Sequence, residues 1–364
     1  MHVKRAVLAI GSAAALAAIS APMSVNMSAK ADPIADFYKG KQVTFYVGLS
    51  AGGGYDTNAR LVARHIGKHI PGNPNIIVRN MPGGGGLVMT NFVNGVAPKD
   101  GTNIGAPQRG VPFEPLFTAN SHAKFDPLKL NWIGSTNSDT SLAVVNAGKG
   151  IKTWEDLRKR EVVVAGTGVG TESVVVPYIL RNLMGFKYRV IAGYPGGSQM
   201  DLAMLRGEVD GRGTYSWTSL KPKYDRLVKS GKIVMLYQQG LKKHPELKDV
   251  PLIQDLTDNQ ETKRLLRLQF TAFELGRPLF VAPEVPAARV RALRDAFNAT
   301  MKDPALLADA KKQKQEINPM TGEEMLATLK EAFATPKELV EKLRAAGSLK
   351  PDLKVKPKVQ KDKK

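Results

Sequence analysis

The chain has 364 residues, with 53 Lys and Arg against 33 Asp and Glu, for a formal net charge of +20. A hydrophobic content of 43% and a charged content of 24% are those of a folded soluble protein, and the length is enough for two lobes. There is no cysteine, which excludes disulfides, thiolate metal sites, a Cys nucleophile and a lipid-anchoring Cys.

The first 31 residues read as a secretory signal. Lys4 and Arg5 precede a small, apolar run from Ala6 to Ala21, which is shorter than the ~20 residues a spanning helix needs. Ala29-Lys30-Ala31 supplies an A-x-A cleavage pattern, so the mature chain is expected to begin at Asp32. Nothing later is apolar enough to cross a bilayer, and the expected destination is the periplasm.

Val43 to Val47 is a short β-branched and aromatic run that reads as a buried strand. Gly52, Gly53 and Gly54 follow and permit a tight turn. From Asp56 the period changes, and Ala59, Val62, Ala63, Ile66 and Ile70 fall on one helical face. Strand, glycine turn and helix leave free N–H groups and a positive dipole end facing a bound anion.

The device recurs. Asn75 to Arg79 is a strand followed by Pro82-Gly83-Gly84-Gly85-Gly86 and a helix from Leu87 to Val96. Thr102 to Ala106 is a third strand, ending at Gln108-Arg109-Gly110. Strands alternating with helices predict a parallel α/β sheet. Asn131 to Gly134 and Leu142 to Val145 are strands flanking a polar bridge, Ser135 to Thr140, where the chain is expected to cross into a second lobe. Glu161 to Ala165 feeds Gly166-Thr167-Gly168-Val169-Gly170-Thr171, and a helix runs from Glu172 to Met184. Lys187 to Ala192 feeds Gly193-Tyr194-Pro195-Gly196-Gly197, after which Ser198 and Asp201 suggest a capped helix. Glu208 to Gly211 and Ile233 to Tyr237 complete the strands of this lobe.

The remainder is mostly helical. Capping-box starts stand at Thr257, Thr321 and Thr335, as at Thr153 in the second lobe, and Pro278 to Pro283 is one late strand. That strand suggests a return to the first lobe. The organisation expected is therefore a signal at 1–31, a first lobe at 32–138, a second at 139–238, a return segment at 239–346 and a basic tail at 347–364. From Ser348 onward the tail has seven Lys, two Asp and no aromatic residue, and is expected to be disordered.

The chemistry-bearing motifs are weighed against plainer readings. Gly52-Gly53-Gly54-Tyr55-Asp56 lacks the Gly-Lys-Ser/Thr ending of a P-loop. Gly166-x-Gly168-x-Gly170 is not a dinucleotide fingerprint, and no acid stands where a ribose would need one. His65 and His69 have metal-ligand spacing but no adjoining Glu, and read as a solvated helix face; no metal and no cofactor are expected. Ser198 lies in no G-x-S-x-G. Basic residues are scattered and no nucleic-acid motif occurs, so nucleic acid is not an expected partner. Glu114, Asp139, Glu172 and Asp210 are acids near loops, and an exported hydrolase or transferase using Glu172 or Asp210 is the alternative reading. Trp132, Trp154 and Trp217 read as core.

A single glycine turn is most simply a strand-to-helix connection. Four of them in two lobes point to one cleft lined by backbone N–H groups, with few charged side chains, suited to a small carboxylate. The candidates this adds are Gly84 in the second turn, Arg109 at the end of the third strand, Asn137 in the crossing, and the cleft-wall tyrosines Tyr55, Tyr194 and Tyr215.

Phe37-Tyr38-Lys39-Gly40-Lys41, Ala51 to Asp56, Asn80 to Gly86, Ala97 to Gly101, Gly166 to Thr171, Tyr194 to Gly197 and Gly207 to Asp210 occur in an order and spacing that resemble the Bug family. These are the substrate-binding receptors of tripartite tricarboxylate transporters. The resemblance implies a two-lobed periplasmic binding protein of type II-like fold, each lobe a mainly parallel sheet flanked by helices. It implies capture of a small organic acid in the interlobe cleft and delivery to the integral-membrane permease subunits, with no catalysis, by a monomer. Carried over by motif, the ligand-binding residues are Ser50, Ala51, Gly52, Gly53, Tyr55 and Asp56, then Gly168, Gly170, Thr171 and Glu172, with Tyr194, Pro195 and Gly196 as an outer wall. Two departures stand out: Glu172 where the family commonly has a small or polar residue followed by His, and Pro195 in place of Lys.

Overall fold

The computed structural model describes residues 32–118 and 121–348. The expected signal segment, and the basic tail from residue 349, lie outside them. Two sheets carry the fold. In the first, the strands are β1 (Gln42–Val47), β2 (Asn75–Asn80), β3 (Asn103–Ala106), β4 (Asn131–Ser135), and, from late in the chain, β10 (Pro278–Val281) and β11 (Met320–Thr321). Their spatial order is β11-β4-β10-β3-β1-β2. The second sheet holds β5 (Ser141–Asn146), β6 (Val162–Ala165), β7 (Tyr188–Ile191), β8 (Gly211–Ser216) and β9 (Ile233–Gln239), in the order β7-β6-β8-β5-β9.

Both sheets are mixed, which corrects the expectation of mainly parallel sheets. β1 pairs in parallel with β2 and β3, and β6 with β7 and β8, as crossover helices require. The strand that first enters each sheet from the other, β5 or β10, runs against its neighbours. A chain arriving from across the molecule meets the sheet without a crossover helix to orient it, so nothing holds it to the parallel direction.

Each sheet is buried on both faces. Along β10, Leu279 and Val281 face the helices Gly54–Ile66 and Ala287–Lys302 through Val62, Ile66, Leu293 and Phe297, while Phe280 faces the opposite core with Trp132. Along β5, Val144 and Val145 divide in the same way. This two-sided burial explains why the strands read as unbroken apolar runs. The last helix of the described residues, Lys337–Gly347, packs on the helix Glu172–Met184, and Arg344 donates from Nε to the Leu116 carbonyl at 2.8 Å. Among the described residues no helix is long and apolar enough to cross a membrane.

The caps are partly as expected. Thr321 and Glu324 form a reciprocal capping box. At Thr257 the cap moves to Asn259, whose side chain accepts from Thr262 N–H. Ser198 and Asp201 do not cap: the helix Gly197–Leu205 starts at Gly196 without a side-chain cap, because Asp201 is drawn inward by Arg212.

Candidate functional site

The carboxyl ends of β1, β3 and β6, the end of β8 and the start of β10 converge on one cavity of about 50 Å3. Its walls include Gly53, Gly54 and Tyr55 from the first glycine turn, Gln108 and Arg109 beyond β3, and Thr167, Glu172 and Ser173 from the third turn. Arg212, Thr214, Tyr215 and Ser216 come from β8, with Lys223 after it and Arg277 just before β10.

Arg109 forms one wall and is 1% exposed. Its Nε donates to Glu172 Oε1 at 2.8 Å and its Nη2 to Ser141 Oγ at 2.6 Å, while Nη1 stands 3.1 Å from Asp139 Oδ2. The guanidinium lies 3.8 Å from the ring centre of Phe273. Burial works against its charge, but Glu172 and Asp139 outweigh this and raise its pKa above the ordinary arginine value. Tyr55 accepts from the Arg109 backbone N–H at 3.1 Å; burial, with the Glu172 charge beside it, pushes its phenol up to about 12, so it stays neutral.

Arg277 faces it and is 4% exposed. Its Nη2 donates to Ser216 Oγ, Thr218 Oγ1 and Ser219 Oγ at 2.7, 2.8 and 2.9 Å. The guanidinium lies 4.1 Å from the Tyr55 ring centre, a cation–π contact. The residue that precedes β10 of the first sheet thus reaches the end of β8 in the second. On the far wall, Asp201 accepts from Arg212 Nη1 at 2.7 Å, Tyr215 Oη at 2.7 Å and Lys223 Nζ at 2.6 Å. Burial alone would raise the Asp201 carboxyl; the charges of Arg212 and Lys223 outweigh it and hold it low.

The expectation of few charged side chains is therefore corrected: Arg109, Arg212, Lys223, Arg277 and Glu172 all line the cavity. Of the residues read from the sequence, Gly53, Tyr55, Arg109, Glu172 and Tyr215 are on its walls. The others are arranged around it. Asp56 is turned into the first lobe, where it accepts from Gly52 N–H, Arg60 Nε and Asn80 Nδ2, holding the turn in shape. Ser50 N–H donates to the Pro195 carbonyl at 3.0 Å and Ser50 Oγ to Gln199 Oε1 at 2.7 Å, and Ala51 accepts from Ser198 Oγ. Asn137 is buried in the crossing between the sheets, beside Gly276. Tyr194 packs, partly buried, on the second-lobe core. Gly84, Gly170 and Thr171 border a separate hollow with Glu114 and His122.

The glycine turns meet in pairs around the cavity. A Cβ on Gly168 would stand 2.4 Å from the Gly84 carbonyl carbon, and one on Gly196 would stand 2.2 Å from Ser50 Oγ. Gly168 meets backbone and does not tolerate a side chain while the two lobes are in contact, whereas Gly196 meets the Ser50 hydroxyl, which can rotate aside; the second and third turns thus serve close approach of backbone to backbone. Sequence reasoning missed Gln108, Thr167, Ser173, Arg212, Thr214, Ser216, Ser219, Lys223 and Arg277. The available signal was an arginine inside or abutting a buried strand, Arg212 in β8 and Arg277 before β10.

The other candidates are structural. His65 and His69 bond Asp309 and Asp303 at 3.1 and 3.0 Å, and among the described residues there is no cluster of three or more metal-ligating acids, His or Cys. Asp210 accepts from Val163 N–H and pairs with Lys149.

Residues 59–344 match the model of the tripartite tricarboxylate transporter family receptor. The chain belongs to this receptor family. It is 25% identical over 321 residues to the UPF0065 protein in the gbd 5' region of Cupriavidus necator, covering 86% of this chain and 90% of that one. Among solved structures it resembles the periplasmic binding protein BugD, with a TM-score of 0.69 at 21% identity over 85% of this chain and 99% of that one. It also resembles MatC from Rhodopseudomonas palustris with bound malate, at 0.66 and 17% over 85% and 99%, and an R. palustris protein with adipate, at 0.65 and 18% over 84% and 97%. These likenesses show a shared two-lobed fold. As a family receptor the protein binds a solute and does not transform it, which sets aside the hydrolase or transferase reading.

Proposed function

We propose that this receptor takes a small organic carboxylate into the cavity between its sheets, in the periplasm, and presents it to the permease subunits of a tripartite transporter. The observation that carries the carboxylate is the set of buried donors without acceptors. Among the described residues, Nε and Nη1 of Arg277, Nε of Arg212 and Nη1 of Arg109 have no hydrogen-bond partner, in side chains lining the cavity, against one acceptor left without a donor there, Glu172 Oε2. A buried guanidinium N–H without a partner costs stability, and a carboxylate supplies an acceptor with charge. The malate and adipate bound by two structural neighbours belong to the same chemical class.

In this reading the receptor acts as a monomer, released from its signal segment, with a first lobe made of 32–138 and the return segment 239–346, a second lobe at 139–238, and a hinge at the crossings near Asn137 and Gln239. Ligand contacts made only when the glycine turns meet would favour the closed form. Thermal melting of the purified protein against a broad panel of mono-, di- and tricarboxylates tests this. A rise in Tm with some acid is the expected result; a flat response across the panel contradicts it.

A further inference from the structure

The ligand class can be narrowed by the charges walled into the site, an inference that rests on the carboxylate reading above. The cavity and its immediate support hold four cations, Arg109, Arg212, Lys223 and Arg277, and three carboxylates, Asp139, Glu172 and Asp201. The side chains of the three carboxylates and three arginines are at most 10% exposed, and that of Lys223 is 27% exposed. Asp201 is shared by Arg212 and Lys223 at 2.7 and 2.6 Å. Asp139 is shared by Arg109 at 3.1 Å and Arg277 at 3.5 Å, and Glu172 pairs with Arg109 alone.

Arg277 is therefore the cation left over. Among the described residues its only carboxylate neighbour is the farther half of a shared contact, its Nη2 is satisfied by hydroxyls, and its Nε and Nη1 have no acceptor. The surrounding charges do not alter this count. Glu274, half-buried behind Arg109, is within reach of Lys242, and Arg226, near Tyr215, is exposed to solvent.

We infer that the cavity is matched to a ligand carrying one net negative charge, held at Arg277, rather than to a di- or tricarboxylate. A closed, desolvated site is least costly when its charges balance. One negative charge neutralises the surplus cation. A second would leave an unpaired carboxylate buried among Asp139, Glu172 and Asp201. The ligand is thus a monocarboxylate, or an acid whose second carboxylate is offset by its own ammonium.

The test is calorimetric titration of the mature protein at pH 7.5 with succinate, glutarate and adipate, each beside its monoamide of nearly the same shape. At least one monoamide is expected to bind about tenfold or more tighter than its parent diacid. The variant Lys223→Gln, which lowers the net charge of the walls from one positive to zero, is expected to weaken the monoanion about tenfold, while Glu172→Gln, which raises it to two, shifts preference toward the diacid. Diacids binding as tightly as or more tightly than their monoamides overturns the charge match and leaves the carboxylate receptor standing. If the wild-type protein binds none of these and no acid of the broad panel, the carboxylate reading falls and this inference with it. Either variant failing to fold leaves the wild-type series to decide.

Discussion

Arg277 joins the two halves of the site through one side chain. Its backbone N–H donates to Ser135 Oγ at 2.9 Å in the first sheet, and its Nη2 reaches the hydroxyls at and just beyond the end of β8 in the second. Arg277→Gln keeps a donor but removes the charge, and is expected to weaken ligand binding by about 2 kcal/mol or more, measured by calorimetry. Gly168 acts by having no side chain. Its φ lies outside the left-handed region, so Gly168→Ala is free of backbone strain, yet its Cβ would meet the Gly84 carbonyl carbon. The variant should melt without ligand as the wild type does and bind ligand about tenfold more weakly, because only the closed form is obstructed. Equal affinity in the two proteins would mean that these turns do not meet when ligand binds.

At the scale of elements, caps and connections decide how firmly the scaffold holds the site. Thr321 opens the helix Gly322–Phe333, which packs against β4 beside β11. Thr321→Ala removes the side-chain half of the capping box, leaving the backbone N–H of residue 321 on Glu324, and should cost about 1 kcal/mol, seen as a fall in Tm of about 2 °C. Ligand affinity should stay unchanged, since no residue of that helix lines the cavity. The first glycine turn has its own lock. Asp56 joins the turn to the end of β2 through Gly52, Asn80 and Arg60; burial would raise its carboxyl, and these hydrogen bonds bring it below the ordinary value instead.

Across the whole molecule, the segment between the helix Pro304–Lys312 and β11 is tied to the region after β8. Lys221 pairs with Glu316 at 2.6 Å, His244 stands 3.5 Å from Glu316, and Lys314 pairs with Asp225 at 3.0 Å. Burial opposes the Glu316 charge, but the hydrogen bonds and charges of His244 and Lys221 hold its carboxyl down to about 2. A carboxyl depressed in the folded state stabilises it above the ordinary carboxylate pKa, and that contribution is lost as pH falls toward 2. Glu316→Gln is therefore expected to lower stability by about 1 kcal/mol at pH 7 and to match the wild type near pH 2, by urea titration at both values. A constant gap across that range would show that the charge of Glu316 is not what stabilises the tie.

The local elements were legible in the residues themselves. The apolar runs at Val43 to Val47 and Ile233 to Tyr237, the glycine turns and the Thr321 capping box are each written within a few consecutive residues, where neighbours along the chain are also neighbours in space. The order of motifs also carried the family. The mixed sheets and the charged cavity were not legible. Strand direction in β5 and β10 depends on where the chain re-enters a sheet, and Arg109 meets Glu172, and Arg277 meets Ser216, across 63 and 61 residues of sequence. A sequence states which charges exist. Only the folded chain decides which of them share a carboxylate, which are left over, and so what the cavity can hold.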